Sequence, residues 1–370
     1  VTRRYARGLV IGKFAPLHLG HEHLVNTARA QCGEVLLISY SRPEMPGCTP
    51  EHRERWLRNR FPDCRALVVT PERVHAWQQA GLSLPGLPAN DDPPDLHRLF
   101  VARLCLEVLR CTVDAVFTSE DYGDGLAEAL GRHFGGQHRE RVTHVEVDRA
   151  RQRFPVSGTQ LRQNPHGNRH LMAPAVYADF VERICLLGGE SSGKSTLAQA
   201  LARALGTRYV PEYGRDRWIE RGGYLPYEDM LHIAQTQVAR EDAAAATAHR
   251  FLACDTSPLT TLLYSRYLFR RADPALEQLA GRHYHHTFLC APDIDFTQDG
   301  TRASAAFRER QHAWHLDELA ARGIPYRLVG GPLRERVAAV LAAIGQGPSP
   351  GAQPADAEHE VDGVEQRHEV

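Results

Sequence analysis

Lysine is nearly absent from this 370-residue chain: of its 44 basic residues only Lys13 and Lys194 are lysine, the rest being arginine. A solvated ion pair accepts either cation, so the drift toward arginine that a GC-rich genome produces can empty a surface of lysine harmlessly. A compact ammonium is hard to replace only where it must reach a phosphate through a crowded backbone. Both surviving lysines follow a glycine just after an apolar run, in GLVIGKF and ICLLGGESSGKS. Other absences narrow the field. The net charge is −1, so there is no global basic field of the kind that binds nucleic acid. No apolar stretch approaches the roughly 20 residues of a membrane span, and the first residues lack the apolar core of a secretory signal. The eight cysteines contain no C-x-x-C pair, and several fall inside apolar runs such as FLACD. Buried free thiols in a reducing cytoplasm are expected, and a zinc site is not.

What is present is ordinary for a soluble globular chain, 42% hydrophobic and 24% charged, and long enough for two domains. Short apolar runs alternate with longer amphipathic stretches. Strands are expected at 8–12, 34–39, 66–70, 114–119 and 142–147, then at 184–189, 251–255, 286–291 and 325–329, with a short one before Glu212. This alternation predicts an α/β fold with parallel sheets covered by helices on both faces. Such sheets bind ligands beyond the carboxyl ends of their strands, where both lysines stand. Asn, Pro and Gly cluster in residues 163–180, the expected domain boundary. Residues 71–95 hold five prolines with little periodicity and read as a long binding loop or lid. From Gly345 the chain is acidic and lacks apolar periodicity, which predicts a disordered tail. No internal repeat is found.

Residues 188–195, GGESSGKS, fit G-x-x-x-x-G-K-[ST] between a strand and a helix. In that arrangement backbone N–H groups cradle phosphate, Lys194 reaches the β- and γ-phosphates, and the Ser195 hydroxyl ligates magnesium. Asp255 ends a strand, where an acid can hold magnesium or accept a hydroxyl proton. Glu212 and Arg215 follow another short strand; Glu212 is equally readable as a solvated helix-start carboxylate. Arg302, Arg308 and Arg310 share one polar segment and could clamp a phosphoryl group, or form a charged helix face. No Asn-Lys-x-Asp guanine reader exists, since no third lysine remains.

In the first half, GKFAPLHLGH places H-x-G-H at residues 18–21 after the first strand, at the start of a helix. His18 and His21 can donate to phosphate oxygens there, beside Lys13. Ser157, Gly158 and Thr159 open another helix, and Arg162 lies one turn in, within reach of an anion at that end. Ser119, Glu120 and Tyr122 end a strand that could contact a nucleotide.

Taken together, GKFAPLHLGH, TSEDYG and VDRARQRFPVSGTQLR resemble the H-x-G-H nucleotidyltransferases, in particular the nicotinamide-nucleotide adenylyltransferase half of NadR-type proteins. GGESSGKST, VPEYGR, CDTSPLTTLLYS and PDIDFTQDGTR are similar to the ribosylnicotinamide kinase half of the same family. The resemblance covers roughly residues 8–340. It implies a Rossmann-like nucleotidyltransferase domain over 1–172, a P-loop kinase over 180–345 and a tail over 346–370. The helix-turn-helix domain of enterobacterial forms is not expected here, because the first strand begins near residue 8; operator binding is therefore not expected.

The implied activities are adenylyl transfer from ATP to nicotinamide mononucleotide and phosphorylation of nicotinamide riboside, with two ATP sites and magnesium. The resemblance leaves room for a homo-oligomer and implies no nucleic-acid or membrane partner. It assigns the first ATP site to Gly12, Lys13, Phe14, His18, His21, Ser119, Glu120, Tyr122, Ser157, Thr159 and Arg162. The second is assigned to Gly188, Gly189, Glu190, Ser191, Ser192, Gly193, Lys194, Ser195, Thr196 and Arg302. Catalysis falls to Lys13, His18, His21, Arg162, Lys194, Glu212 and Asp255, magnesium to Ser195 and Asp255, and substrate to Trp56, Glu212, Tyr213 and Arg215. Trp56 could stack on the nicotinamide ring or simply pack its helix on the sheet. Two other readings compete: a fused phosphopantetheine adenylyltransferase and dephospho-coenzyme A kinase, and a nucleotide sensor without turnover.

Overall fold

The computed structural model describes residues 3–135, 142–298 and 304–346. Two of the expectations, Arg302 and the acidic tail, lie outside these described residues. The chain forms two compact units: Val1–Arg183 with Leu205–Val210 and Thr236–Leu252, and the remainder. A single cut in the sequence does not anticipate the two later segments that group with the first unit.

The first sheet is built from β1 (Tyr5–Ile11), β2 (Cys32–Ser39), β3 (Arg65–Val68), β4 (Ala115–Thr118) and β5 (Thr143–Glu146), in the order β3-β2-β1-β4-β5. Every pair is parallel. Strands in such sheets are covered on both faces, which requires continuous apolar runs rather than alternation. Leu36, Leu37 and Ile38 in β2 are all buried, as are Leu9 and Val10 in β1. One face packs against the helix at 94–103 through Phe100 and Val101 and against 123–134 through Leu126 and Leu130.

The second sheet takes β6 (Glu182–Leu187), β7 (Arg208–Val210), β8 (Phe251–Asp255), β9 (His286–Cys290) and β10 (Arg327–Val329), in the order β10-β9-β6-β8-β7. β6 pairs in parallel with β9, and β9 with β10. Cys185 and Leu187 of β6 share a core with Leu259, Leu262 and Leu276. In each sheet the order of strands reverses beside the first strand of its half. That reversal opens a crevice at the carboxyl ends; Lys13 follows β1 and Lys194 follows β6.

All the expected strands are present, but the loop read at 71–95 is not one loop. Residues Pro71–Gln79 are helical, as are Pro94–Arg103, leaving 80–93 as the connection. Pro71 and Pro94 sit in the first turn of each helix, where proline's missing N–H would have no intrahelical partner in any case. Thr70 caps the first helix by accepting from the Arg73 N–H at 3.3 Å. Pro71 and Pro94 mark helix starts, while Pro85 and Pro88 lie in the irregular connection between the two helices.

Candidate active sites

Beyond β1 lies a cavity of about 540 Å³. Gly12, Lys13, Phe14, His18, His21, Ser119, Glu120, Tyr122, Ser157, Thr159 and Arg162 all line it. His18 caps the helix Leu19–Gln31: its Nδ1 accepts from the His21 N–H at 3.2 Å. Burial, with the Arg151 charge adding to it, lowers the His18 pKa to about 4. A neutral His18 whose Nδ1 accepts must carry its proton on Nε2, which leaves that N–H as the donor. The His21 ring stacks on it at 3.6 Å, and burial drives its pKa down as well. His21 Nδ1 is buried and has no hydrogen-bond partner. Gly20 allows this stack, because a Cβ there would stand 3.1 Å from the His18 ring.

Lys13 is shaped by several neighbours. Its carbonyl accepts from the Ser39 hydroxyl at 2.9 Å, and Ser39 Oγ accepts from buried Arg53 at 2.8 Å. Burial, and then the Arg162 charge, hold its ammonium below the usual lysine value. Arg162 is anchored by the Ala15 carbonyl and by Thr159 Oγ1 at 3.1 Å. Ser157 caps the helix Gly158–Gln163 through the Gln160 N–H. The result is a cleft floor of neutral N–H donors with two cations beside it, which suits a polyphosphate.

The P-loop closes on itself after β6. Gly188 has φ +143°, and a Cβ there would meet Ser192 Oγ at 2.8 Å and the Cys290 carbonyl at 3.0 Å. Only glycine fits both the space and the dihedral. Lys194 Nζ donates to the Gly189 carbonyl at 2.8 Å. Residues 188, 190–196, Glu212 and Arg215 line a small pocket of about 80 Å³ with Thr260, Tyr264 and Gln311. Asp255 is 2% exposed, and its Oδ1 has no hydrogen-bond partner. Burial raises its pKa against the pull of Lys194 and a hydrogen bond from Ser195. An orphaned carboxylate oxygen beside a serine hydroxyl fits a magnesium ion, which takes few protein ligands and completes its shell with water and phosphate. Glu212 is also raised by burial, with Lys194 and Arg215 opposing.

Several lining residues carry no sequence signal. Tyr40 stacks on His97 and bonds it at 3.0 Å. In the second pocket Tyr264 donates to Glu190 Oε1 at 2.8 Å, while Gln311 bonds both the Tyr264 hydroxyl and the Glu190 N–H. His315 supports Gln311 from behind, donating from Nδ1 to its carbonyl at 2.8 Å and accepting from Thr260 Oγ1 at 3.1 Å. Arg336, near the end of the described chain, holds the Ser192 carbonyl at 2.7 Å. A proximity that depends on topology leaves no local pattern to read.

Trp56, Tyr213 and Arg308 line neither cavity, although the Arg308 main chain packs against Gly189 of the P-loop. Trp56 is 2% exposed and does not line the cavity; its indole N–H donates to Asp179 at 2.6 Å, and its ring stacks with Phe180 and His52. Burying an indole favours the packed site where its N–H finds a partner, so the stacking role on nicotinamide has no support. Tyr213 is buried in the core of the second unit, its hydroxyl 3.2 Å from His232. Arg308 is buried, with Nη1 on the Ile294 carbonyl at 2.7 Å.

The geometry defines a class: a Rossmann-like H-x-G-H nucleotidyltransferase sheet followed by a P-loop kinase-like unit. Comparison with known proteins agrees. The AAA domain family model matches residues 183–336. The trifunctional NAD biosynthesis/regulator protein NadR of Escherichia coli is 28% identical over 327 residues, covering 84% of this chain and 74% of that protein. The Salmonella typhimurium NadR is 28% identical over 82% of this chain and 73% of its own length. Two solved NadR structures, one in complex with NAD and AMP-PNP and one in complex with NR, share the fold. Each has a TM-score of 0.65, at 20% and 19% identity, covering 94% and 95% of this chain and 98% of theirs. The resemblance to NadR-type proteins carried by the motifs therefore extends over most of the chain.

Proposed function

We propose that this chain makes NAD from salvaged pyridine precursors. In this reading residues 1–172 transfer the adenylyl group of ATP to nicotinamide mononucleotide, and residues 180–345 phosphorylate nicotinamide riboside from a second ATP. The observation that supports it most is that the chain's two lysines each line a cavity beyond a strand end, in a chain similar to NadR along most of its length.

In the first reaction the mononucleotide phosphate attacks the α-phosphorus of ATP in line, and the bond to the bridging oxygen breaks to release pyrophosphate. The nucleophile is already ionised, so no base is required and the work is positioning and charge stabilisation. Lys13, Arg162 and the His18 Nε2–H supply the charge and donors. Neutral histidines donate without a proton having to be taken up first.

In the second reaction the riboside hydroxyl attacks the γ-phosphorus and loses its proton. Glu212 lines the pocket, and a carboxyl raised by burial is a better base near neutral pH than an exposed one. We assign it the proton, with Arg215 beside it on the transferring group. Asp255 and Ser195 would hold magnesium, which when bound neutralises charge on the phosphate oxygens. Lys194 takes the β- and γ-phosphates. Among the described residues no helix is long and apolar enough to cross a membrane, and the burial of six of the eight cysteines suits a reducing cytoplasmic setting.

The test is turnover by the full chain with ATP and magnesium, products separated by chromatography. Nicotinamide riboside should give the mononucleotide and ADP; the mononucleotide should give NAD and pyrophosphate. Turnover of phosphopantetheine instead would install the coenzyme A reading. Nucleotide binding with no turnover of any of these would make the chain a sensor.

A further inference from the structure

The first cleft carries a carboxylate and an arginine that the scheme above leaves unexplained. Three carboxylates line the cavity beside Lys13 and Arg162; Asp92 and Asp148 accept from backbone N–H groups, whereas Glu120 faces Arg151, which lines the same cavity. Their charged ends lie 3.6 Å apart, and both side chains are about half exposed, at 59% and 44%. An exposed pair of this kind contributes little to stability and is readily exchanged.

The backbone that presents Arg151 is unusual. Arg151 has φ +52° and Asp148 φ +47°, left-handed conformations at non-glycine residues. The Asp148 carboxylate enforces the turn by accepting from the Gln152 N–H at 2.8 Å and the Arg153 N–H at 3.1 Å, and its carbonyl accepts from the Arg151 N–H at 2.8 Å. Strained backbone held this firmly at a cavity rim marks a side chain whose position matters. The arginine's field reaches the floor of the cleft, since it opposes protonation of both His18 and His21. Glu120 acts on the other side, favouring the charged form of Lys13.

We propose that Arg151 is a phosphate-binding residue of the adenylyl-transfer site, and that Glu120 is its counter-ion in the free protein, displaced when the polyphosphate of a nucleotide enters. A carboxylate left facing the polyphosphate would repel it. As a placeholder it keeps Lys13 and Arg151 from facing an empty cleft as unscreened neighbours, and it yields Arg151 to a stronger, charge-assisted partner. This rests on the phosphate reading of the cleft, and the experiment separates the two.

The scarcity of lysine supplies the probe. The full chain labelled with 13Cε-lysine has two lysine signals, assigned by their loss in Lys13→Arg and Lys194→Arg, and each reports one cradle. Inorganic tripolyphosphate is titrated and a Kd is read from each signal. Arg151→Gln is expected to weaken binding at the Lys13 signal by about 10- to 100-fold, to leave the Lys194 signal's Kd unchanged, and to be partly rescued by Arg151→Lys. Glu120→Gln is expected to tighten binding at Lys13 about three- to tenfold. An unchanged Kd in Arg151→Gln overturns the assignment of Arg151, and unchanged or weaker binding in Glu120→Gln overturns the counter-ion. If the Lys13 signal of the parent chain ignores tripolyphosphate, the phosphate reading of the cleft fails and this inference with it. The Lys194 signal is the internal control for the second cradle, and a thermal melt matching the parent's shows in each variant that the unit carrying the substitution is folded.

Discussion

Around Lys194 the cradle is one continuous stretch of backbone; around Lys13 it is assembled from side chains of separated segments. The P-loop's shape is set by glycine dihedrals and by Arg336 pinning the Ser192 carbonyl. The other cleft relies on the stacked His18 and His21, on Arg162 tied to Ala15 and Thr159, and on the Arg53–Ser39 relay behind Lys13. A backbone cradle concentrates its function in a few positions that tolerate nothing else. A side-chain cradle spreads the same charge over several groups, so each loss is partial.

Substitution of one glycine in each cradle sharpens this contrast most. Gly188→Ala forces a Cβ into Ser192 and the Cys290 carbonyl at a left-handed φ, and should lower kinase turnover by about 10³-fold while adenylyl transfer stays intact. Gly20→Ala brings a Cβ to 3.1 Å from the His18 ring and 3.3 Å from Val156, contacts with side chains rather than backbone, and should lower adenylyl transfer about tenfold. Equal losses in the two variants would erase the distinction. Between these in size stands Glu212→Gln, expected to lower the kinase kcat by about 10²-fold with the KM for ATP little changed. A raised KM at normal kcat would instead make Glu212 a binding group and return the proton to Asp255.

A smaller effect is shared by both regions. Burial lowers His18 and His315 to about 4, below the ordinary histidine value of 6.5. Each favours the fold only when neutral, so its contribution is complete above pH 6.5 and is lost as pH falls toward 4. The slope approaches about 1.4 kcal/mol per pH unit for each group. Thermal melts between pH 7.5 and 5 should show the decline, and His18→Gln and His315→Gln should each flatten it. Parallel curves for parent and variants would mean that the rings take up protons alike in the folded and unfolded chain. Smallest of all, truncation after residue 346 should leave both activities and the Tm nearly unchanged, because that acidic segment has little apolar area to bury.

The features legible in the sequence are those written locally. Parallel strands announce themselves as apolar runs, and GGESSGKS and LHLGH state their backbone geometry in consecutive residues. Prolines misled where they had two meanings: at Pro71 and Pro94 they begin helices rather than break the chain. Trp56 was readable either as a stacking residue or as helix packing, and the partner that decides for packing, Asp179, is 123 residues away. Tyr264, Gln311 and Arg336 meet the P-loop, with His315 behind Gln311, because the fold brings together segments far apart in the sequence. The extra segments of the first unit were invisible for the same reason.

The central claim is that lysine survived twice because two phosphate cradles each need an ammonium. Assaying both reactions in folded Lys13→Arg and Lys194→Arg chains tests it most directly. A crossed result is expected. Lys194→Arg should lose kinase turnover by about 10²- to 10³-fold and keep adenylyl transfer. Lys13→Arg should lose adenylyl transfer by about tenfold or more, softened by Arg162 and the histidines, and keep the kinase. Near-normal rates for both reactions in both variants would contradict it.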